Sequence, residues 1–340
     1  MIRMGVIGAG WFTTRRHLPD IAANNDMELT AICRRDKDAL AKVQQAFHAK
    51  CVWTDWREML DGSELDAVLI ATPHNLHYEP AKAALERGLH TLIEKPMTIR
   101  SVEANELCRI ADEKRLQLGV ALNPPFWAHT HRIRNAIRDG RIGGLEALSM
   151  FWMGNASYVF GQAPQPENLP GLVPPTMYRS DPDLCGGGYL IDGGSHLISE
   201  MLWTSELKVR SVTCIMDQLP SDRRALLTLH MEKGVIGAIN CVGDSNYRKR
   251  RVLNIFAGDG GSVRIEDFEF KVMIESSNHD IELFQENELQ PVSGPIDNFA
   301  DAILNRDTLF SSGEHGRDIV QVVEAAYVSS KEGRTVVIDG

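Results

Sequence analysis

The sequence predicts a doubly wound parallel α/β half followed by an α+β half built on a large, mostly antiparallel open sheet. Three observations carry this prediction. Short apolar runs alternate with helical stretches through the first 122 residues, strand-like runs succeed one another after residue 123, and two helical stretches close the chain. The domain boundary is therefore expected between residues 122 and 123.

Ile2–Ile7 reads as a buried strand and Leu29–Cys33 as the second. Asp66–Ala71, Leu89–Ile93 and Leu118–Leu122 are further short apolar runs, as strands covered on both faces require. Pro80 suits the first turn of a helix through Ala81–Arg87, and Gly88 suits its left-handed stop. Ser101 can cap a helix over Val102–Lys114, with Glu103 in the first turn where the helix dipole favours an acid. After Asn123 an amphipathic helix, His131–Arg138, places Ile133 and Ile137 one turn apart and leads to Gly140. The runs Leu145–Trp152, Val209–Met216, Ala225–Met231, Val235–Val242, Val252–Ala257 and Val263–Ile265 then read as strands. Gly154–Asp183, rich in proline and glycine and without a period, reads as a long loop, and loops of that length commonly carry function. Ile296–Asn305 and Gly316–Ser330 are the closing helices, before an apolar tail Thr335–Ile338.

A chain of 340 residues accommodates two domains. No apolar run approaches the roughly 18 residues of a membrane span, and the N-terminus lacks the features of a signal peptide. The six cysteines are scattered with no Cys-x-x-Cys pair, which points to reduced thiols and a cytoplasmic protein. A net charge of −10 disfavours nucleic acid and anionic membranes as partners. His74-x-x-His77 and His129-x-His131 lack a carboxylate or cysteine at a metal-site spacing, so no metal is expected. Arg248–Arg251 reads as a solvated strand edge, with a contact to an anionic substrate or another subunit left open, and Asp259-Gly260-Gly261 as a hairpin turn.

Gly8-Ala9-Gly10-Trp11-Phe12-Thr13 follows the first strand and opens a helix, the place where a dinucleotide pyrophosphate sits on helix N–H groups. Gly8 permits the tight turn and Gly10 a close approach of backbone to phosphate; Thr13 stands where the third glycine of the fingerprint is usual. The second strand ends in Cys33-Arg34-Arg35-Asp36. Arg34 occupies the position at which an acid would accept from the ribose hydroxyls of NAD, and a guanidinium there suits a 2′-phosphate. NADP is accordingly favoured over NAD, although Asp36 turned inward would restore NAD binding.

Three further strings are Ala71-Thr72-Pro73-His74-Asn75-Leu76-His77, Glu94-Lys95-Pro96, and Gly186-Gly187-Gly188-Tyr189-Leu190-Ile191-Asp192-Gly193-Gly194-Ser195-His196. With Asn298–Ile303 and Val322–Val337, they make the whole chain similar to the Gfo/Idh/MocA oxidoreductases, named for glucose–fructose oxidoreductase and inositol dehydrogenase. The resemblance implies a Rossmann domain over residues 1–122, a substrate-binding and oligomerisation domain over 123–340, and hydride transfer between NAD(P) and a secondary alcohol or ketone of a sugar, inositol or related polyol. It implies Lys95, Asp192 and His196 as the catalytic group. Cofactor contacts are then expected from Gly8, Gly10, Trp11, Phe12, Arg34, Arg35, Thr72, Pro73, Asn75, His77, Glu94, Lys95 and Asn123, while capping or bracing of the following helix and a substrate contact are equally open to His77. Substrate contacts are expected from Lys95, Asn123, Tyr178, Arg179, Asp192 and His196. The family often has Asn-His after Thr-Pro where this chain has His74-Asn75, and basic or aromatic residues where Pro124-Pro125 follow Asn123. Relatives usually pair through the open face of the second sheet, so a homodimer or homotetramer is expected. Two other activities known on this fold stay open: glycoside cleavage through transient redox, and non-catalytic cofactor sensing.

The residue types suit the chemistry. Oxidising a secondary alcohol removes a hydroxyl proton while hydride leaves the carbon, and histidine titrates in the right range for that proton. Asp192 and His196 are four apart and share one face if Ile191–Leu202 is helical. The Lys95 ammonium can stabilise developing alkoxide charge.

Overall fold

The computed structural model describes residues 1–165, 171–247, 249–266, 271–278 and 280–338. The opening apolar run is β1 (Ile2–Ile7), a central strand of a six-stranded parallel sheet. It leads through a glycine turn to α1 (Leu18–Ala23), β2 (Met27–Cys33), α2 (Lys37–Phe47), β3 (Cys51–Trp53), α3 (Trp56–Gly62) and β4 (Ala67–Ile70). Then come α4 (Tyr78–Glu86), β5 (His90–Ile93), α5 (Ser101–Lys114) and β6 (Leu118–Val120). The strand order is β3-β2-β1-β4-β5-β6, the doubly wound order whose direction reverses between β1 and β4. β1, β2 and β4 are almost wholly buried, which explains why they read as continuous apolar runs without alternation.

The chain continues through α6 (Ala128–Arg138), β7 (Leu145–Met153), α7 (Pro182–Cys185), α8 (Ser195–Ser205), β8 (Val209–Met216), β9 (Arg224–Met231), β10 (Ile236–Val242) and β11 (Arg251–Gly258). β12 (Gly261–Glu266), β13 (Lys271–Ser276), β14 (Ile281–Phe284), α9 (Pro295–Ile303), α10 (Gly313–Glu332) and β15 (Val336–Val337) complete it. Among the described residues the second sheet has nine strands in the order β14-β13-β12-β11-β7-β10-β9-β8-β15. Every pairing is antiparallel except β7 with β10. Strict alternation on β9 buries Ala225, Leu227, Leu229 and Met231 and exposes the residues between them. α8 packs on β7, and the Cys214 N–H donates to Ser329 Oγ at 2.9 Å, joining β8 to α10. The opposite face carries a register row of Ile215, Leu226, Asn240, Phe151 and Leu253.

Two compact units result, and they interleave along the chain, whereas the sequence reading divides it once after residue 122. The first comprises residues 1–121, 163–186 and 293–317; the second comprises 122–162, 187–292 and 318–340. The later segments join the first unit for a packing reason. Val173, Ile296, Phe299 and Ala300 are buried in one apolar cluster with Val6, Leu18, Leu69 and Leu92. The Val120 N–H donates to Ser311 O at 2.9 Å, and Asn24 Nδ2 donates to Asp297 Oδ1 at 2.7 Å.

The sequence reading omits β3, β13, β14 and β15. Each is short, from two to six residues, and β14 has no fully buried position to set a period. Helix α5 starts at Ser101 itself, with Arg100 at the cap position making no side-chain bond, in place of a Ser101 cap. The Asp259-Gly260-Gly261 turn joins β11 to β12 as expected. Among the described residues no helix is long and apolar enough to cross a membrane.

Candidate active site

The glycine turn comes first in the chain. Gly8 has φ +96°, and a Cβ there would lie 2.5 Å from Ala71 O, so only glycine fits where β1 ends beside β4. Gly10 is different: among the described residues a Cβ would meet nothing nearer than Gly8 O at 4.0 Å, so no packing among them demands a glycine. The segment 11–23 is helical and contains a π turn over Thr13–His17. Thr13 is buried, and its hydroxyl donates to Gly8 O at 3.0 Å, closing the turn where a third glycine is usual. Trp11 lies over Gly171, and Phe12 is exposed with its ring edge-on to His17 at 5.4 Å. First-turn amides of a helix have no acceptor within the helix and serve anions.

At the end of β2, Arg34 Nη1 donates to Ala9 O at 2.6 Å, which folds the guanidinium onto the glycine turn. Its Nε is buried without a hydrogen-bond partner among the described residues. Arg35 is exposed. Asp36 caps α2, accepting from the Ala39 N–H at 3.0 Å, and that bond holds its carboxyl below the usual range. The cap occupies Asp36 with its own helix, so the inward turn that would favour NAD is not the arrangement adopted.

The carboxyl ends of β4 and β5 supply the next residues. Thr72 Oγ1 donates to Leu76 O at 2.9 Å, Pro73 precedes the short helix His74–Leu76, and the half-buried Asn75 leaves its Oδ1 buried without a partner among the described residues. His77 is fully buried, its Nδ1 2.8 Å from Pro96 O and its Nε2 2.8 Å from Thr72 O. Both neighbours are acceptors, so only a doubly protonated ring would donate to both; burial opposes that and holds His77 below the ordinary histidine value. His77 thus links two loops through its two ring nitrogens. Glu94 Oε1 meets His17 Nε2 at 2.5 Å, while its Oε2 accepts the Lys95 N–H at 3.0 Å. Burial pushes the Glu94 carboxyl up, but the His17 hydrogen bond and charge, together with Lys95, outweigh it and keep it below the usual range. Lys95 itself is half-buried.

Tyr178 and Arg179 belong to this first unit. The Tyr178 ring is edge-on to His74 at 5.1 Å, with Arg179 Cζ 4.6 Å from the Tyr178 ring centre. His74 is buried, its Nδ1 2.8 Å from Cys185 O, and so ties the end of β4 to α7. Of the long loop read from the sequence, 166–170 lie outside the described residues. A recess of about 760 Å³ lined by Cys108, Asp112, Leu118, Arg306 and Glu314 sits at the amino end of β6, away from the glycine turn.

In the second unit, Asn123 opens the short helix Pro124–Phe126 and is half-buried. Asp192 lies in a π turn, Leu190–Gly194, that runs into α8, and His196 is the second residue of α8. Both are half-buried. Such π turns inside helices commonly mark functional sites. The glycine run before them has a packing explanation that periodicity could not supply. A Cβ at Gly187 (φ +154°) would fall 2.2 Å from Tyr327 Oη, and one at Gly188 would fall 2.1 Å from Asp222 O. The Asp222 carboxylate accepts from the Gly188 and Leu190 N–H groups at 3.1 and 2.8 Å and from the Tyr327 hydroxyl. Asp222 and Tyr327, unmarked in the sequence, therefore hold the segment that carries Asp192 and His196. Of the basic run, Arg248 lies outside the described residues, and Arg250 Cζ stands 4.5 Å from the Trp152 ring centre. Among the described residues no group of three or more His, Cys, Asp or Glu is placed to hold a metal.

These observations test whether a dinucleotide fits the first unit. A glycine with no internal need, a buried Arg34 Nε and a buried Asn75 Oδ1 lie at the carboxyl edge where strand order reverses. The residues fit such a group. Residues 2–122 match the model of an oxidoreductase family with an NAD-binding Rossmann fold, GFO_IDH_MocA, and residues 130–264 match the GFO/IDH/MocA C-terminal domain. The chain belongs to the Gfo/Idh/MocA oxidoreductase family. The expected family membership and the expected pair of sheets, one parallel and one mostly antiparallel, are borne out. Among Gfo/Idh/MocA relatives, a D-glucoside 3-dehydrogenase of Escherichia coli K12 is 23% identical over 98% of this chain and 97% of its own. A D-xylose 1-dehydrogenase [NADP(+)] of Haloarcula marismortui is 25% identical over 99% and 93%. A levoglucosan dehydrogenase solved with NADH and levoglucosan shares the fold at a TM-score of 0.85, with 18% identity and 100% of both chains covered.

Proposed function

We propose that this Gfo/Idh/MocA oxidoreductase is a dehydrogenase or reductase acting on a secondary alcohol or ketone of a sugar, inositol or related polyol, with NADP preferred to NAD. The single observation that carries the reading is the Asp192–His196 pair, four residues apart across the π turn into α8, on a segment clamped by Asp222. An acid/base histidine with a carboxylate one turn away is what proton removal from a hydroxyl requires. The names of the glucoside, xylose and levoglucosan dehydrogenases support a sugar as substrate class.

Gly8, Gly10, Trp11, Phe12, Arg34, Arg35, Thr72, Pro73, Asn75, Glu94, Lys95 and Asn123 would hold the cofactor, with His77 contributing through the loops it braces. A bound nicotinamide supplies or accepts the hydride. His196 takes the hydroxyl proton in oxidation and returns it in reduction. Asp192 orients the imidazole or a substrate hydroxyl. The Lys95 ammonium stabilises negative charge developing on the oxygen. Asn123, Tyr178 and Arg179 serve as substrate contacts in this reading. Arg34, already folded onto the glycine turn, supports the NADP preference because a guanidinium there would meet a 2′-phosphate.

The test is cofactor reduction by the purified protein, with NAD⁺ and NADP⁺ in parallel against inositols, aldoses and sugar acids. Reduction of NADP⁺ with one substrate group is expected. Tight cofactor binding without reduction by any of them would overturn the dehydrogenase reading.

A second copy of the chain is proposed as partner, covering the open face of the nine-stranded sheet, where Ile215 is 70% and Leu226 46% exposed side by side. Sedimentation equilibrium should give a multiple of 37.9 kDa, and a monomer mass at micromolar concentration would remove the proposal.

A further inference from the structure

The segment that follows β5 is gripped from both sides of Lys95. On one side, His17 reaches from the helix after the glycine turn to Glu94, and the same carboxylate takes the Lys95 N–H. On the other, His77 meets the carbonyl of Pro96 while also touching that of Thr72. The grip is buried: His17 and Glu94 side chains are 3% and 14% exposed, and His77 is 0% exposed. Met97, next along, is 1% exposed. Buried bonds to backbone on either side of one residue restrict that residue's φ/ψ, and hence the direction in which its side chain leaves.

The links also run to the two other loops of the same edge. His17 ties the Lys95 segment to the glycine turn, and His77 ties it to the Thr72–Pro73 turn at the end of β4. Neither histidine needs to touch a substrate to matter. A lysine ammonium carried on a long flexible stem loses rate when its base moves by about 1 Å, because alignment is worth orders of magnitude.

We propose that His17 and His77 are positioning residues for Lys95, His17 acting through the Glu94 carboxylate and His77 through the Pro96 carbonyl. The proposal rests on the reading of Lys95 as a catalytic residue.

Side-chain length separates the geometry from mere polarity. Glutamine reaches about as far as Nε2 of histidine and asparagine about as far as Nδ1. His17→Gln should therefore keep most of kcat, and His17→Asn should lower it by about tenfold or more with KM little changed. His77→Asn, which retains the Pro96 contact, should outperform His77→Gln, which retains only the contact with Thr72. A double-mutant cycle identifies the route: His17→Asn should cost nothing further in a Lys95→Met background. An undiminished extra loss there would assign His17 an independent role and overturn the proposal. A second readout needs no turnover. With lysines carrying ¹³C-methyl labels, the Lys95 resonance, assigned by its loss in Lys95→Arg, should shift in His17→Asn and return in His17→Gln. An unmoved resonance in every variant would also overturn it. Lys95→Met with full turnover, alongside the expected resonance shifts, would instead remove the catalytic role of Lys95 and leave the brace standing.

Discussion

Arg34 Nη1 lies 2.6 Å from the carbonyl oxygen of Ala9, so the guanidinium that ends β2 is folded across the glycine turn. Replacing Arg34 with Asp exchanges a partner for phosphate for one that accepts from ribose hydroxyls. A charge-assisted hydrogen bond is worth about 1.5–3 kcal/mol, so the ratio of NADP⁺ to NAD⁺ in kcat/KM should fall by roughly 10- to 100-fold. An unchanged ratio, measured with a melting temperature close to that of the parent, would show that Arg34 serves the turn alone.

The two glycines of that turn should separate folding from binding. Gly8→Ala meets Ala71 O and carries a left-handed φ, so it should cost at least about 1–2 kcal/mol of stability, read by chemical denaturation. Gly10→Ala has room inside the protein and should melt near the parent temperature. It should nevertheless weaken cofactor binding by roughly tenfold, about 1.4 kcal/mol, in a fluorescence titration. Equal effects of both variants on stability would contradict the distinction.

His196→Ala should lower kcat by roughly 10²–10⁴-fold, the usual share of a general acid/base, while cofactor affinity stays near that of the parent. Pre-steady-state reduction would locate the loss in the chemical step. If cofactor affinity collapsed instead, His196 would belong to the binding machinery.

Glu200, one turn beyond His196 on α8, is buried, with Oε2 accepting from Asn254 Nδ2 at 3.1 Å and His129 Nε2 lying 3.8 Å from Oε1. Burial raises its carboxyl from 4.5 to about 7, while His129 is pushed by burial down to about 3. Between pH 4.5 and 7 the folded chain keeps a proton that the unfolded chain has released, so this group subtracts stability progressively as pH rises through that window. Glu200→Gln removes the titration. Relative to the parent, it should gain up to about 3 kcal/mol between pH 4 and pH 8, seen as a melting-temperature difference that widens with pH. A constant difference across that range would show that Glu200 does not titrate there.

Much of the first unit was legible because its signals are local. Completely buried parallel strands leave uniform apolar runs, and the glycine turn must follow the strand that carries it. The motifs with Lys95, Asp192 and His196 were legible through resemblance, and their roles await the experiments above. Short strands such as β14 were not legible, since four residues with no fully buried position carry no period. The clamp on the glycine run was equally hidden: nothing around Asp222 or Tyr327 in the chain marks them, because their partners lie 32 to 139 residues away.

The sequence by itself determined the order of the longer strands, the glycine turn and the chemistry-bearing motifs, because periodicity, turn chemistry and motif spacing are properties of neighbours in the chain. Tertiary structure alone decided that residues 163–186 and 293–317 return to the first unit, and that His77 lies between the carbonyls of Thr72 and Pro96. Those outcomes depend on which buried carbonyl, amide or apolar surface happens to lie across the fold. Burial and hydrogen-bond satisfaction are settled between residues far apart in sequence.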